Sequence, residues 1–388
     1  MSLQQTPSAQ RLHIGFFGRT NAGKSSVVNA LTGQEMSLVS EIKGTTTDPV
    51  KKAMELLPLG PVVIIDTPGF DDGGELGARR VERTRQVLNE ADVAVLVIDA
   101  VRGECREDEA LEALIAEKKI PLVKVFNKAD LAEPPAGALG VSARTGAGIE
   151  ELKKALGALK AGAPAEKRVL EGLVKAGDRV LLVIPIDEAA PKGRLILPQQ
   201  IVIRELLDLG ATVLACRDTE LKATLAATKE LPDLVITDSQ VFRSVSATVP
   251  DEVKLTSFSI LFARFKGDLS QLLEGAALLS ELKDGDKVLI AEGCTHHRQC
   301  NDIGSVKIPR LIRAFSGAEP EFSFTSGNGF PEDLSAYRLI VHCGGCMLTE
   351  KQMKHRLAEA KAQAVPVVNY GVAIAKMNGI LERSIAML

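Results

Sequence analysis

Residues 18–25 read Gly18-Arg19-Thr20-Asn21-Ala22-Gly23-Lys24-Ser25, the spacing GxxxxGKS, directly after the apolar run Leu12–Phe17 and ahead of a helical pattern that opens at Lys24. A glycine-rich turn between strand and helix aims successive backbone N–H groups at one point, and such a nest holds the phosphates of a nucleoside triphosphate. Gly18, Asn21, Ala22, Gly23, Ser25 and Ser26 then form the cradle, Lys24 neutralises β- and γ-phosphate oxygens, and the Ser25 hydroxyl ligates Mg2+. Outward from this turn, strands and helices alternate: Val62–Asp66, a helix near Arg79–Asn89, Val93–Asp99, a helix near Asp108–Lys118, Leu122–Asn127 and a helix from Gly148. This alternation predicts an α/β domain with a largely parallel sheet.

Two of these strands end in residues suited to the same ligand. Asp66-Thr67-Pro68-Gly69 puts a carboxylate within reach of the metal through water and the Gly69 N–H at the γ-phosphate. Asn127-Lys128-Ala129-Asp130 selects the base, since the Asp130 carboxylate accepts from guanine N1–H and N2–H2 together, and adenine has neither donor. Ser142-Ala143-Arg144, after Leu139–Val141, supports the same base. GTP, GDP and Mg2+ are the expected ligands.

These residues resemble the P-loop GTPases, and with Gly44-Thr45-Thr46-Thr47-Asp48 they are similar to the Era/MnmE branch. The resemblance implies that Thr45 or Thr46 reaches Mg2+, that Lys24 and Gly69 complete the catalytic set, and that Asn21 holds K+ beside the phosphates. Phe70 follows the DTPG motif, where Ras-like enzymes carry a water-positioning glutamine, so slow intrinsic hydrolysis is expected.

The chain has 388 residues, 45% of them hydrophobic and 25% charged, which describes a folded protein of several domains. A net charge of -3 and 4% aromatics offer little to phosphates or stacked bases, so no nucleic-acid partner is expected. No apolar run is long enough to span a bilayer, and Met1 to Gln10 lacks a basic-then-apolar leader, so no membrane partner and a cytoplasmic location are expected. Leu159–Lys167, broken by Gly and Pro, reads as a linker. A second strand–helix series follows, from Arg179–Ile186 to Val253–Ser257, and a third opens with one long helical pattern from Ile260 to Leu282. Three consecutive α/β domains result: 8–163, 168–259 and 260–388. The middle one is a small parallel sheet with open edges, and pairing two such edges across a twofold axis predicts a homodimer.

Four of the six cysteines and three of the five histidines lie in two short segments, Cys294-Thr-His296-His297-Arg-Gln-Cys300 and His342-Cys343-Gly344-Gly345-Cys346. Each segment follows a strand, Lys287–Ala291 or Leu339–Val341, so both sets of thiolates face one carboxyl-end crevice. Spacing alone leaves three readings: tetrahedral zinc on Cys294, Cys300, Cys343 and Cys346, an iron–sulfur cluster, or buried thiols without metal. Cys105 and Cys216 read as structural thiols, with Cys216 ending a buried strand.

Cys-x-His, then His-Cys-x-x-Cys, joined to an N-terminal GTPase, resembles the iron–iron hydrogenase maturation GTPases over the whole chain. The resemblance implies a GTPase domain, a dimerisation domain and an iron–sulfur cluster domain. It implies a 4Fe-4S cluster on Cys294, Cys343 and Cys346 with an exchangeable fourth position, for which His296, His342 and Asp187 are the candidates. Cys300 lies outside the family motif and reads as a bystander. The family acts as a scaffold that receives a diiron precursor from two radical-SAM maturases and passes it to the apo-hydrogenase. A competing class, an RNA-modification or ribosome-assembly GTPase with a zinc or iron–sulfur module, would want a basic stripe or a base-stacking fold, and the sequence has neither.

Overall fold

Six strands build the first sheet, all parallel except one edge strand, in the order Val50–Leu56, Gly60–Asp66, Leu12–Phe17, Val93–Asp99, Leu122–Asn127 and Leu139–Val141. The computed structural model describes residues 11–33, 49–70, 74–161, 168–186, 195–293, 302–327, 329–345 and 347–388. They divide into two compact units, Met1–Ala165 and Glu166–Leu388.

The first unit runs β1 (Leu12–Phe17), α1 (Lys24–Thr32), β2 (Val50–Leu56), β3 (Gly60–Asp66), α2 (Gly74–Leu88), β4 (Val93–Asp99), α3 (Arg106–Glu117), β5 (Leu122–Asn127), β6 (Leu139–Val141) and α4 (Ile149–Ala161). Successive residues of β1 and β4 serve opposite faces. Phe16, Val95 and Val97 join Val27, Leu31, Leu152 and Leu156 on one side. Phe17, Leu96 and Ile98 join Leu111 and Ile115 on the other. From β1 the chain passes to β3 on one side and then to β4 on the other, so the crevice at the carboxyl end of β1 is a topological switch point, where such sheets bind ligands. The sequence pattern gives no strand at β2, because its two adjacent lysines break the apolar–polar alternation; it is an antiparallel edge on which Lys51, Ala53 and Glu55 are exposed.

The second unit holds two four-stranded sheets, both wholly parallel. The first contains β7 (Arg179–Val183), α5 (Leu197–Asp208), β8 (Thr212–Cys216), α6 (Leu221–Ala227), β9 (Leu234–Thr237), α7 (Phe242–Thr248) and β10 (Lys254–Ser257), ordered β10-β9-β7-β8. The second follows α8 (Phe258–Lys266) and α9 (Leu269–Ala277). It contains β11 (Lys287–Ala291), α10 (Ile308–Ser316), β12 (Glu321–Thr325), β13 (Leu339–His342), α11 (Glu350–Ala362) and β14 (Val367–Asn369), ordered β12-β11-β13-β14, with α12 (Tyr370–Met377) and α13 (Leu381–Ile385) after it. One apolar cluster runs through both sheets, from Leu181, Val235 and Leu255 to Val288, Ile340 and Val368. A fragment cut at 260 would therefore expose half of a shared core, and 166–388 is the piece to express alone.

The pattern read as one helix from Ile260 to Leu282 is two helices, because Gly267 ends α8 and the Asp268 carboxylate accepts from the N–H groups of Ser270 and Gln271 to start α9. Cys216 does not end a buried strand. β8 is an edge with Thr212, Leu214 and Ala215 exposed. The opposite edge, β10, packs beside α13, whose Arg383 donates to the carbonyls of Ser246, Val249 and Pro250.

Candidate functional site

At the carboxyl end of β1 the chain turns through Gly18 and enters α1 from Gly23, at φ +85°, a left-handed conformation that favours glycine. A β-carbon on Gly23 would lie 2.3 Å from Asn127 Nδ2, so the phosphate loop and the base motif close on each other here. Asn127 holds that junction: its Nδ2 donates to Ala22 O at 3.0 Å and its Oδ1 accepts from the Ala143 N–H at 3.2 Å. Lys24 is buried, its ammonium donating to the loop carbonyls of Gly18 and Arg19 at 3.0 and 2.9 Å. Ser26 and Asn21 are exposed, and Asn21 has φ +65°.

Ser25 Oγ donates to Asp66 Oδ2. Burial pushes the Asp66 carboxyl above its usual range, against the pull of the Ser25 hydrogen bond and the Lys24 charge. Its Oδ1 is buried without a hydrogen-bond partner among the described residues. A hydroxyl and a desolvated carboxylate side by side suit Mg2+, a hard cation that takes oxygen ligands, and Ser25 and Asp66 would hold it directly or through water. Gly69 lies against Thr20, where a β-carbon would meet the Thr20 backbone nitrogen at 2.7 Å, and the Phe70 N–H donates to Gly18 O at 3.0 Å. The DTPG segment is thereby stitched to the phosphate loop. Thr45 and Thr46 lie outside the described residues.

Phe70 points inward, 7% exposed in the cluster with Phe17 and Ile65. Phe70→Ala is thus expected to lower stability by about 3–5 kcal/mol. Phe70→Leu, which better conserves volume, should leave the single-turnover hydrolysis rate within about threefold of the parent. A larger loss in the folded Leu variant would give Phe70 a part in the chemistry.

On the base side, Asp130 is exposed and its Oδ1 accepts from Ser142 Oγ at 2.7 Å, which orients the carboxylate. Lys128, at φ +66°, donates to Asn21 O at 3.1 Å and to Asp99 Oδ2 at 2.6 Å. Burial works to raise the Asp99 carboxyl, but the Lys128 hydrogen bond and the N–H of Val101 outweigh it and hold it below the usual range. Arg144 is exposed. Gly18, Asn21, Ala22, Gly23, Lys24, Ser25, Asp66, Gly69, Asn127, Lys128, Asp130, Ser142 and Ala143 are brought together at the carboxyl ends of the parallel strands.

The second candidate site sits in the C-terminal sheet, at its own switch point between β11 and β13. Ala291 pairs with His342, so the segments that follow both strands emerge together. Cys343 Sγ accepts from the N–H of Gly293 at 3.1 Å and of Gly345 at 3.4 Å. His342 is buried and neutral, driven down to about 3 by burial and by the Arg356 charge beside it. Its Nδ1 donates to Cys343 O at 2.8 Å and its Nε2 accepts from Arg356 Nη1 at 2.9 Å. Both nitrogens being engaged, ligation through His342 would require the Arg356 bond to break. Cys294, His296, Cys300, Cys346 and Asp187 lie outside the described residues.

Several known proteins share parts of this chain. The 50S ribosome-binding GTPase family model matches residues 13–128. The tRNA modification GTPase MnmE of Methylococcus capsulatus is 39% identical over 148 residues, 35% of this chain and 32% of that protein. GTPase Der of Kosmotoga olearia is 37% identical over 125 residues, 31% and 28% of the two chains. The chain thus spans about a third of the length of these curated relatives. The solved structure of Aquifex aeolicus Era bound to GDP and aluminium fluoride is 24% identical, covers 53% of this chain and 91% of its own, and has a TM-score of 0.35. The two domains after the GTPase domain decide the family: the hydrogen maturase F dimerization domain matches residues 169–267, and the hydrogen maturase F tetramerization domain matches 270–387. The chain belongs to the hydrogen maturase F family.

As a member of that family it is an α/β protein with a P-loop GTPase domain followed by two domains of oligomerization. The sequence pattern predicts dimerisation through the middle domain but has no signal for tetramerization. It also misses three charged residues of the sites. Asp99 carried a signal, a carboxylate closing a central strand. Lys266 and Arg356, buried beside Cys343, sit on helices whose charges read as solvated.

No described helix is long and apolar enough to cross a membrane.

Proposed function

We propose that this chain binds and hydrolyses GTP and carries a 4Fe-4S cluster on Cys294, Cys343 and Cys346. In this reading it acts as a cytoplasmic scaffold that receives a diiron precursor from two radical-SAM maturases and delivers it to apo iron–iron hydrogenase. The observation that supports the cluster is the pair of N–H bonds to Cys343 Sγ, from Gly293 and Gly345, because in sequence these glycines directly precede Cys294 and Cys346. Cluster thiolates take such bonds, which stabilise their negative charge. When bound, a cluster on three protein thiolates supplies an iron open to a further ligand. The chain's own residues do the rest: Gly293 and Gly345 solvate the sulfur, and His342 pins the Cys343 carbonyl. His296 and Asp187 are the candidates for the fourth position that remain when His342 is held as described.

The family's domains give the proposed division of labour: 8–163 for GTP, 168–259 for a homodimer, 260–388 for the cluster and the higher assembly. The exposed β8 edge is the strand suited to pair across a twofold axis. A tRNA- or ribosome-directed role belongs to the relatives of the GTPase domain alone, and no observation beyond that domain favours it.

Two experiments test the reading. Protein purified anaerobically should be brown, with iron and sulfide in comparable amounts. Colourless, zinc-loaded protein would exclude the cluster. Hydrolysis should also be about tenfold faster in K+ than in Na+ at matched ionic strength, because a cation held by Asn21 offsets charge on the phosphates in the transition state. Equal rates in the two salts would remove K+ from the account.

A further inference from the structure

Two buried cations stand beside Cys343. Arg356, on α11 and 6% exposed, donates from Nη1 to His342 Nε2 at 2.9 Å and from Nη2 to Gly327 O, with its guanidinium carbon 5.0 Å from the centre of the Phe330 ring. Lys266, the last residue of α8 and 5% exposed, donates from Nζ to the carbonyls of Gly345 at 2.9 Å and Leu348 at 2.8 Å. Each cation is one residue removed from Cys343. Arg356 reaches the Cys343 carbonyl through the neutral His342 ring, and Lys266 holds the carbonyl of the glycine whose N–H donates to Cys343 Sγ.

Burying cations is costly unless negative charge answers them. No carboxylate forms an ion pair with Arg356 among the described residues. The buried carboxylate on this side is Glu292, which accepts from the Tyr370 hydroxyl at 3.3 Å, and burial keeps that phenol protonated. Arg356 and Lys266 thus set buried positive charge beside Cys343 at the mouth of the β11–β13 crevice.

We propose that Arg356 and Lys266 are positioning residues for a thiolate-bound iron–sulfur cluster, supplying the buried positive charge that favours its more negative, reduced form and so raises its reduction potential. The inference rests on the cluster reading above. Adding an electron adds negative charge, and a fixed cation in a low-dielectric site stabilises the charge more strongly than water would.

The test uses the full chain, purified anaerobically and reconstituted with iron and sulfide, with iron content and reductive titration of the visible and EPR signals as readouts. Arg356→Gln keeps a donor for His342 and removes the charge, Arg356→Lys keeps the charge, and Lys266→Gln removes the second cation. The Gln variants should retain the parent's iron and titrate at a more negative potential, with Arg356→Lys near the parent. A parent that binds no iron would sink the cluster reading itself. With iron bound in the parent, an unmoved midpoint in the Gln variants, or an equal shift in Arg356→Lys, overturns the proposal. Iron loss in all three variants, with circular dichroism unchanged, also overturns it, since the residues would then serve packing. If Arg356→Gln does not fold, Lys266→Gln decides by the same criterion.

Discussion

Asp130→Asn should turn the preference of the nucleotide site from GTP toward xanthosine triphosphate. The carboxylate is oriented by Ser142 Oγ at 2.7 Å and presents acceptors only, matching the two donors on the guanine edge. An amide in its place sets its NH2 against the guanine amino group and loses the charge-assisted pair. At about 1.5–3 kcal/mol for each such hydrogen bond, GTP affinity should fall roughly 10²–10⁴-fold. Xanthine carries a carbonyl where guanine carries the amine, so the same amide can donate to it while still accepting from N1–H. Dissociation constants for both nucleotides, measured on parent and variant, check this. An unchanged ratio would place the base elsewhere.

Cys343→Ala should reduce reconstituted iron to background while leaving GTP binding intact, since the two sites lie in separate units. Cys343 is the described sulfur of the site, and the two N–H groups that converge on it have no equivalent acceptor once it is gone. Cys300→Ala should keep the parent's iron content. If Cys300→Ala loses iron as completely as Cys343→Ala, four thiolates share the metal and the three-cysteine set is wrong.

Much of the nucleotide site was legible from sequence because short motifs fall at strand ends, where a parallel sheet gathers them. The phosphate loop, Asp66, Asn127 and Asp130 are far apart in sequence and meet at the carboxyl ends of the strands for that reason alone. What escaped was tertiary. Tyr370–Met377 is buried on nearly every side, so it shows no polar face for a helical period to reveal, and Asn369 starts it by accepting from the Val372 N–H at 2.8 Å. Arg356 has the spacing of a surface charge on α11, and only the packing of Phe330, Gly327 and His342 around it turns it inward. His342 was legible as a possible ligand but not as a ring held at both nitrogens.

Delivery of the diiron precursor is tested by recovering the full chain anaerobically from cells that also express the two radical-SAM maturases and mixing it with hydrogenase lacking its diiron unit. Hydrogen evolution should appear with the parent and be absent with Cys343→Ala. Iron-replete parent protein, shown to bind GTP, that leaves the hydrogenase inactive would contradict the account.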